Sequence, residues 1–285
     1  MYRTAIELLH KWKNSNDKKP LIIRGARQVG KTWLMKEFAS KAYKESVYIS
    51  FDNNVQMTEL FHADFNIERI ITGLEIYAGH KIDPSETVLI FDEIQEVPKA
   101  LTSLKYFNEA APQYSILCAG SLLGIALHHG TSFPVGKVEF MDLYPLTFSE
   151  FILAMGKGQF AKLIADGNYS MIRTFKNDYI DLLKQYYYVG GMPEVVSRFS
   201  ESIDFNEARK IQERILNAYE QDFSKHVPHE IVPRVRMLWN SVPSQLAKEN
   251  KKFIYGLIKE GSRAKDYETA LLWLEIGRAS CRERV

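Results

Sequence analysis

The segment Gly25-Ala26-Arg27-Gln28-Val29-Gly30-Lys31-Thr32 constrains this chain more than any other feature. It is a Gly-x-x-x-x-Gly-Lys-Thr loop, preceded by the apolar run Leu21-Ile22-Ile23 and followed by a helical pattern over residues 31–43. At average composition a chance match in a chain of this length has a frequency of roughly 1%. The glycines let backbone N–H groups curl around an anion, and the following helix turns its positive end towards it. Lys31 is placed to reach the β- and γ-phosphates of a nucleotide, and the Thr32 hydroxyl to hold Mg2+. The whole loop is therefore the expected binding site for ATP. A tight turn with a surface lysine is the bland alternative, and the flanking strand and helix count against it.

Such a loop belongs in an alternation of strands and helices, and the chain has one. Strands are expected at residues 21–23, 47–51, 87–91 and 114–119, with a fifth at 137–141. Helices are expected over residues 2–12, 31–43, 67–77 and 98–110, the last opened by Pro98. The continuous apolar run Thr87-Val88-Leu89-Ile90-Phe91 fits a strand covered on both faces. The pattern predicts an α/β fold with a parallel sheet and right-handed crossovers. The texture changes at Thr147-Phe148-Ser149-Glu150, a capping box. An aromatic helix over residues 169–189 is expected to end at Gly190-Gly191, and Pro193 to start another. An α/β core up to about residue 145, then a helical part, is the resulting division.

The chemistry beyond the loop centres on Phe91-Asp92-Glu93, at the end of the third strand. Beside a phosphate loop, Asp92 would position the Mg2+ shell, and Glu93 would orient or deprotonate an attacking water. ATPases with an extra strand between the loop strand and the carboxylate strand usually carry that glutamate; kinase-like proteins usually lack it. Residues 114–119 can be that strand, and Ser121 beyond its end can contact the γ-phosphate or the water. A serine in a tight turn is nearly as good a reading of Ser121. Arg27 could touch phosphate or pair with an acid, and Asp52 reads as a turn residue. His128-His129 lacks a third ligand at metal spacing, and Cys118 reads as a core residue.

Two cysteines without paired spacing exclude a disulfide framework and a zinc cluster, and suit a reducing compartment. The N-terminus has no signal-peptide core, and the longest apolar stretch, residues 116–127, is too short for a bilayer. A cytoplasmic protein with no membrane partner is expected. The last ten residues, 276–285, read as the translation of a sequencing adapter that interrupts a helical pattern, so the natural gene is expected to continue. They hold three arginines against one glutamate, so the formal net charge of +2 becomes zero without them. Total charge therefore gives no argument for nucleic-acid binding.

Taken together, Arg24 through Thr32, Phe91-Asp92-Glu93-Ile94-Gln95, Ala119-Gly120-Ser121-Leu122-Leu123, Tyr144-Pro145-Leu146-Thr147-Phe148-Ser149-Glu150-Phe151 and Gly190-Gly191-Met192-Pro193-Glu194 resemble a known group. It is the prokaryotic AAA-type ATPases that carry a C-terminal domain of unknown function, DUF4143. The resemblance implies ATP and Mg2+ as cofactors, Lys31 and Thr32 at the phosphates, Asp92 and Glu93 at metal and water, and Ser121 as sensor. It also implies a P-loop ATPase core over residues 1–145, a helical lid over 146–235, and the start of a winged-helix-like domain over 236–275. Many relatives have arginine where Lys137 stands. In the last segment, Gly261-Ser262 would cap a helix with Arg263 and Lys265 on one side and Leu271, Leu272 and Trp273 inward. That helix could read DNA or bind another protein, or present only a solvated face. The expected function is an Mg2+-dependent ATPase acting as a switch or motor coupled to a C-terminal effector. The alternatives are a nucleotide-gated DNA-binding or interaction module with little turnover, and a small-molecule kinase, against which Glu93 argues.

Overall fold

The computed structural model describes residues 1–120, 134, 136–247, 253–259 and 261–276. Five strands form one parallel sheet: β1 (Leu21–Arg24), β2 (Glu45–Ser50), β3 (Thr87–Asp92), β4 (Ser115–Gly120) and β5 (Glu139–Asp142). Their order is β2-β3-β4-β1-β5, so β4 lies between the loop strand and the carboxylate strand, as expected from its sequence. β3 and β4 are buried at every position, whereas the edge strands β2 and β5 keep exposed residues.

Both faces of the sheet carry a core, and the period of two along each strand decides which residue joins which. Ile22, Ile49, Leu89, Phe91, Ile116 and Cys118 point to one face, against α3 (Val55–Ala63), α4 (Ile67–Ala78) and α5 (Pro98–Ala110). There Phe51, Phe61 and Phe91 meet edge to face at centroid distances of 5.4 to 5.7 Å. Leu21, Ile23, Val88, Ile90, Leu117 and Ala119 face α1 (Ala5–Lys13) and α2 (Lys31–Ala42) on the other side. α3 has no counterpart in the sequence expectations. Its start is fixed by the Asn54 side chain, which accepts the Met57 N–H.

Among the described residues no strand follows Asp142. The capping box at Thr147 is formed on both sides and opens α6 (Phe148–Ala154). Next come α7 (Gly158–Ala165), α8 (Tyr169–Thr174), α9 (Lys176–Val189) and α10 (Pro193–Ser202). The single helix expected over residues 169–189 is two, because the backbone leaves the helical region at Phe175 (φ −99°, ψ 29°). The Phe175 ring packs edge-on against Phe160 of α7, 5.9 Å between centroids.

Two compact units divide at Ile211 and Gln212. The second contains α12 (Val232–Leu246) and α13 (Ala264–Ile276), and α11 (Phe205–His226) spans the division. Within it, Phe223 meets Trp239 and Trp273 edge to face, and the Gln245 amide bonds both the N–H and the carbonyl of Ile254. The inward face of α13 is Tyr267, Ala270, Trp273 and Leu274, whereas Leu272 is 49% exposed. Three consecutive apolar residues cannot all face one side of a helix at 100° per residue, so the expected inward set is corrected. The N–H that precedes α13 is capped by Asp266, whose carboxylate accepts from Arg263.

The first unit also explains Gly190-Gly191. Gly190 adopts φ 72° and ψ −170°, a region open essentially to glycine alone. At Gly191 a Cβ would stand 2.4 Å from the Leu146 carbonyl oxygen, and the Gly191 carbonyl accepts the Leu146 N–H at 2.6 Å. The same Leu146 carbonyl accepts the Tyr186 hydroxyl at 2.7 Å. Gly191→Ala should therefore lower stability by about 1–3 kcal/mol, the usual cost of forcing atoms into a packed site. Thermal unfolding of the two proteins side by side checks this, and an unchanged midpoint would show that the close approach is dispensable.

Candidate functional site

At the end of β1 the Arg24 guanidinium forks onto the Asp142 carboxylate at 2.9 and 3.2 Å and lies 4.2 Å from the Phe140 ring centre. The chain then turns through Gly25, where a Cβ would stand 2.3 Å from the Leu143 carbonyl oxygen. Only glycine can pass there. Gln28 (φ 64°) and Gly30 (φ 91°) take left-handed backbone conformations, and Val29 between them is buried. Gly30 is the residue from which α2 starts. The loop thus presents a helix N-terminus at the C-terminal ends of parallel strands, where anions are best held.

Lys31 is 7% exposed, and its Nζ donates to the carbonyls of Gly25 and Ala26, both at 2.9 Å. Burial pushes this ammonium down to about 8, although Glu93 and Asp92 nearby favour its charge; Arg27 adds to the lowering. Thr32 donates its hydroxyl to Asp92 Oδ2 at 2.7 Å. Asp92, buried at the end of β3, accepts the Glu93 N–H on Oδ1 at 3.1 Å and the Tyr48 hydroxyl on Oδ2 at 3.0 Å. Glu93 itself is left-handed (φ 51°, ψ 43°), a strained conformation for a side chain of its kind. Its Oε2 accepts the Gln95 amide at 2.6 Å.

Lys31, Thr32, Asp92 and Glu93 are thus gathered at one end of the sheet. Ser121, His128 and His129 lie outside the described residues; β4, which leads towards Ser121, pairs Gly120 with Arg24 of β1. Lys137 pairs with Glu109 at 2.9 Å. Among the described residues no group of three or more His, Cys, Asp or Glu side chains forms a metal cage. The donors present are instead one hydroxyl and one carboxylate, the sparse set that suits Mg2+ shared with a polyphosphate.

Sequence reasoning missed Arg3 and Tyr48. Arg3 is 3% exposed, and its guanidinium donates to the carbonyls of Val29 (3.0 Å) and Tyr144 (2.5 Å) and to Glu150 Oε1 (3.3 Å). Glu150 Oε1 also takes the Thr4 N–H and hydroxyl, and its Oε2 the Thr147 N–H. Backbone hydrogen bonds to the Thr147 and Thr4 N–H groups, with Arg3 beside it, hold this carboxyl below its ordinary range, although burial acts as the largest single influence in the opposite direction. An N-terminal arginine is thereby pinned under the phosphate loop. No local pattern in the sequence announces it, since its partners stand 26 to 147 residues away.

The lowered Lys31 ammonium has a consequence for stability. The unfolded chain holds this proton up to about 10.5 and the folded chain only to about 8, so folding is penalised below pH 8 and the penalty fades towards pH 10.5. The difference corresponds to about 3 kcal/mol. Lys31→Met should accordingly raise thermal stability at pH 7 when measured without nucleotide, by less than that figure because two hydrogen bonds are lost. The gain should shrink as pH rises through 8 to 10. A pH series of melting curves decides, and a gain that is flat with pH would mean that the amine is not the origin.

Residues 17–152 match the family model of an AAA domain. Residues 180–279 match a domain of unknown function, DUF8612, in place of the DUF4143 domain that the resemblance implied. The motifs behind that resemblance all precede residue 195, so they carried little information about the C-terminal part. No curated protein sequence matches the chain. Among solved structures, a Walker-type ATPase of Pyrococcus abyssi is similar at 16% identity and a TM-score of 0.58, over 98% of this chain and 90% of that one. The Drosophila ORC bound to DNA stands further off, with 14% identity and a TM-score of 0.43 over 99% of this chain and 81% of that one. No described helix is long and apolar enough to cross a membrane. With a phosphate loop on β1, a carboxylate at the end of β3 and β4 inserted between them, residues 17–152, which match the AAA-domain model, have the fold of a P-loop NTPase.

Proposed function

We propose that this protein binds ATP with Mg2+ at the loop Gly25–Thr32 and hydrolyses it, as a switch or motor that drives the helical segments after residue 146. The observation that carries the reading is the contact of Thr32 Oγ1 with Asp92 Oδ2 at 2.7 Å, which joins the first turn of α2 to the end of β3. A hydroxyl donating to a carboxylate keeps its lone pairs free for a cation, and the carboxylate can hold that cation's water shell. Mg2+, when bound, neutralises charge on the phosphate oxygens. Lys31 brings a second cation to the same oxygens, and the N–H groups of the loop and of the first turn of α2 bind the remainder. Glu93 takes the proton of the attacking water, with Gln95 holding its carboxylate in place. The helical part is coupled at two points: Pro193 at the start of α10 lies 3.6 Å from the place a Gly30 side chain would take, and Arg3 links Val29 to Glu150 of α6.

A nucleotide-gated module with little turnover is the second reading, and the Gln95 hydrogen bond on Glu93 favours it, because a carboxylate oxygen so engaged has fewer lone pairs to offer a water. Glu93→Gln separates the two. The amide is nearly the same size but accepts no proton, so ATP binding should survive while turnover falls by roughly 100-fold or more, the scale of general-base catalysis. Lys31→Ala should abolish binding. Phosphate release at saturating ATP, with and without DNA, is the assay. Equal turnover in wild type and Glu93→Gln removes Glu93 from the reaction, and negligible wild-type turnover in both conditions favours the module.

A further inference from the structure

Tyr48 is the second donor to the oxygen that Thr32 already occupies. It lies on β2, paired with Ile90 of β3, and Asp92 follows Ile90 by two residues. In a parallel pair that spacing puts Tyr48 and Asp92 on the same face of the sheet as diagonal neighbours, within reach of a long side chain. The phenol spans that gap and donates to Asp92 Oδ2 at 3.0 Å. Its ring is held from the other side. Lys36, one helical turn beyond Thr32 on α2, places its Nζ 3.7 Å from the ring centroid. A cation at that distance is attracted to the ring face, which holds the ring in place. Desolvation, and after it the neighbouring Asp92 charge, pushes the phenol up to about 12, so it remains protonated at neutral pH.

Without Tyr48 the Asp92 carboxylate would be held by the Glu93 N–H on one oxygen and by Thr32 on the other. The terminal torsion of an aspartate is broad, and Thr32 must turn its own lone pairs towards a cation. A third donor on a separate strand fixes the plane of the carboxylate independently of Thr32. We infer that Tyr48 is a positioning residue for the Mg2+ site: clamped by Lys36, it orients Asp92 so that Thr32 and Asp92 are presented together to the cation. The inference rests on the reading of this site as Mg2+-nucleotide binding.

The test is Tyr48→Phe, which keeps the ring and its contact with Lys36 and removes only the hydroxyl. ATP affinity is measured by calorimetry in Mg2+ and in EDTA, together with a Mg2+ titration at fixed ATP and a thermal melt. The Mg2+-dependent gain in affinity should fall by about tenfold, the scale of one hydrogen bond to a charged group, while affinity in EDTA is unchanged. Lys36→Met should lower the same gain by a smaller factor. An undiminished Mg2+ gain in Tyr48→Phe, or losses of equal size in Mg2+ and EDTA, would overturn the inference, the latter by showing a general structural role. A wild-type protein whose ATP affinity ignores Mg2+ would overturn the Mg2+ reading itself, which the wild-type titration reveals before any variant is compared.

Discussion

A carboxylate at the end of a fully buried strand must be satisfied by donors, and Asp92 is the point at which this chain meets that demand. Its donors come from three places: the hydroxyl of Thr32 on α2, the phenol of Tyr48 on β2, and the N–H of Glu93 in the turn that follows β3. Each ties a different element to the end of β3, so the loop helix, the edge strand and the turn to Gln95 are placed by one group. An unsatisfied charge at that depth would cost far more than any of these contacts gains. The arrangement becomes possible only because β4 pairs with both β1 and β3, which sets the ends of the three strands side by side.

Around this centre the backbone runs unusually close to itself. The Gly25 turn passes under the Leu143 carbonyl, and the Gly191 turn lies against Leu146, three residues later. The short segment from Leu143 to Glu150 therefore touches the phosphate loop at one end and the connection between α9 and α10 at the other. Arg3 and Glu150 fasten the N-terminal residues into the same junction. Within the first unit, a displacement of the loop has direct mechanical partners in α6 and α10.

The parts of this structure legible in the sequence are those governed by local rules. The phosphate loop, the apolar strands, the capping box at Thr147 and the glycine pair before Pro193 each follow from a few adjacent residues, and the insertion of β4 followed from reading Glu93 beside the loop. What escaped depends on distant partners. Phe175 breaks a helix for the sake of a ring on α7, and α13 turns Leu272 outward because Tyr267 and Leu274 set its inner face. Tyr48 looks like any aromatic in an edge strand until the register beside β3 is known. The identity of the C-terminal domain was drawn from motifs that lie elsewhere in the chain, and it was there that the expectation needed correction.

The hydrogen bonds of Lys31 have an implication for selectivity. The ammonium already has two oxygen partners in its own loop, so an incoming anion gains its cation only by exchange with the carbonyls of Gly25 and Ala26. A ligand with a single charged oxygen would exchange two carbonyl contacts for one ion pair. One that reaches the amides at the start of α2 while it draws Lys31 away gains several contacts for each one broken. For a nucleotide bound as proposed, the loop's own carbonyls would be the competitor, and a ligand that also engages the amides at the start of α2 would best offset their loss.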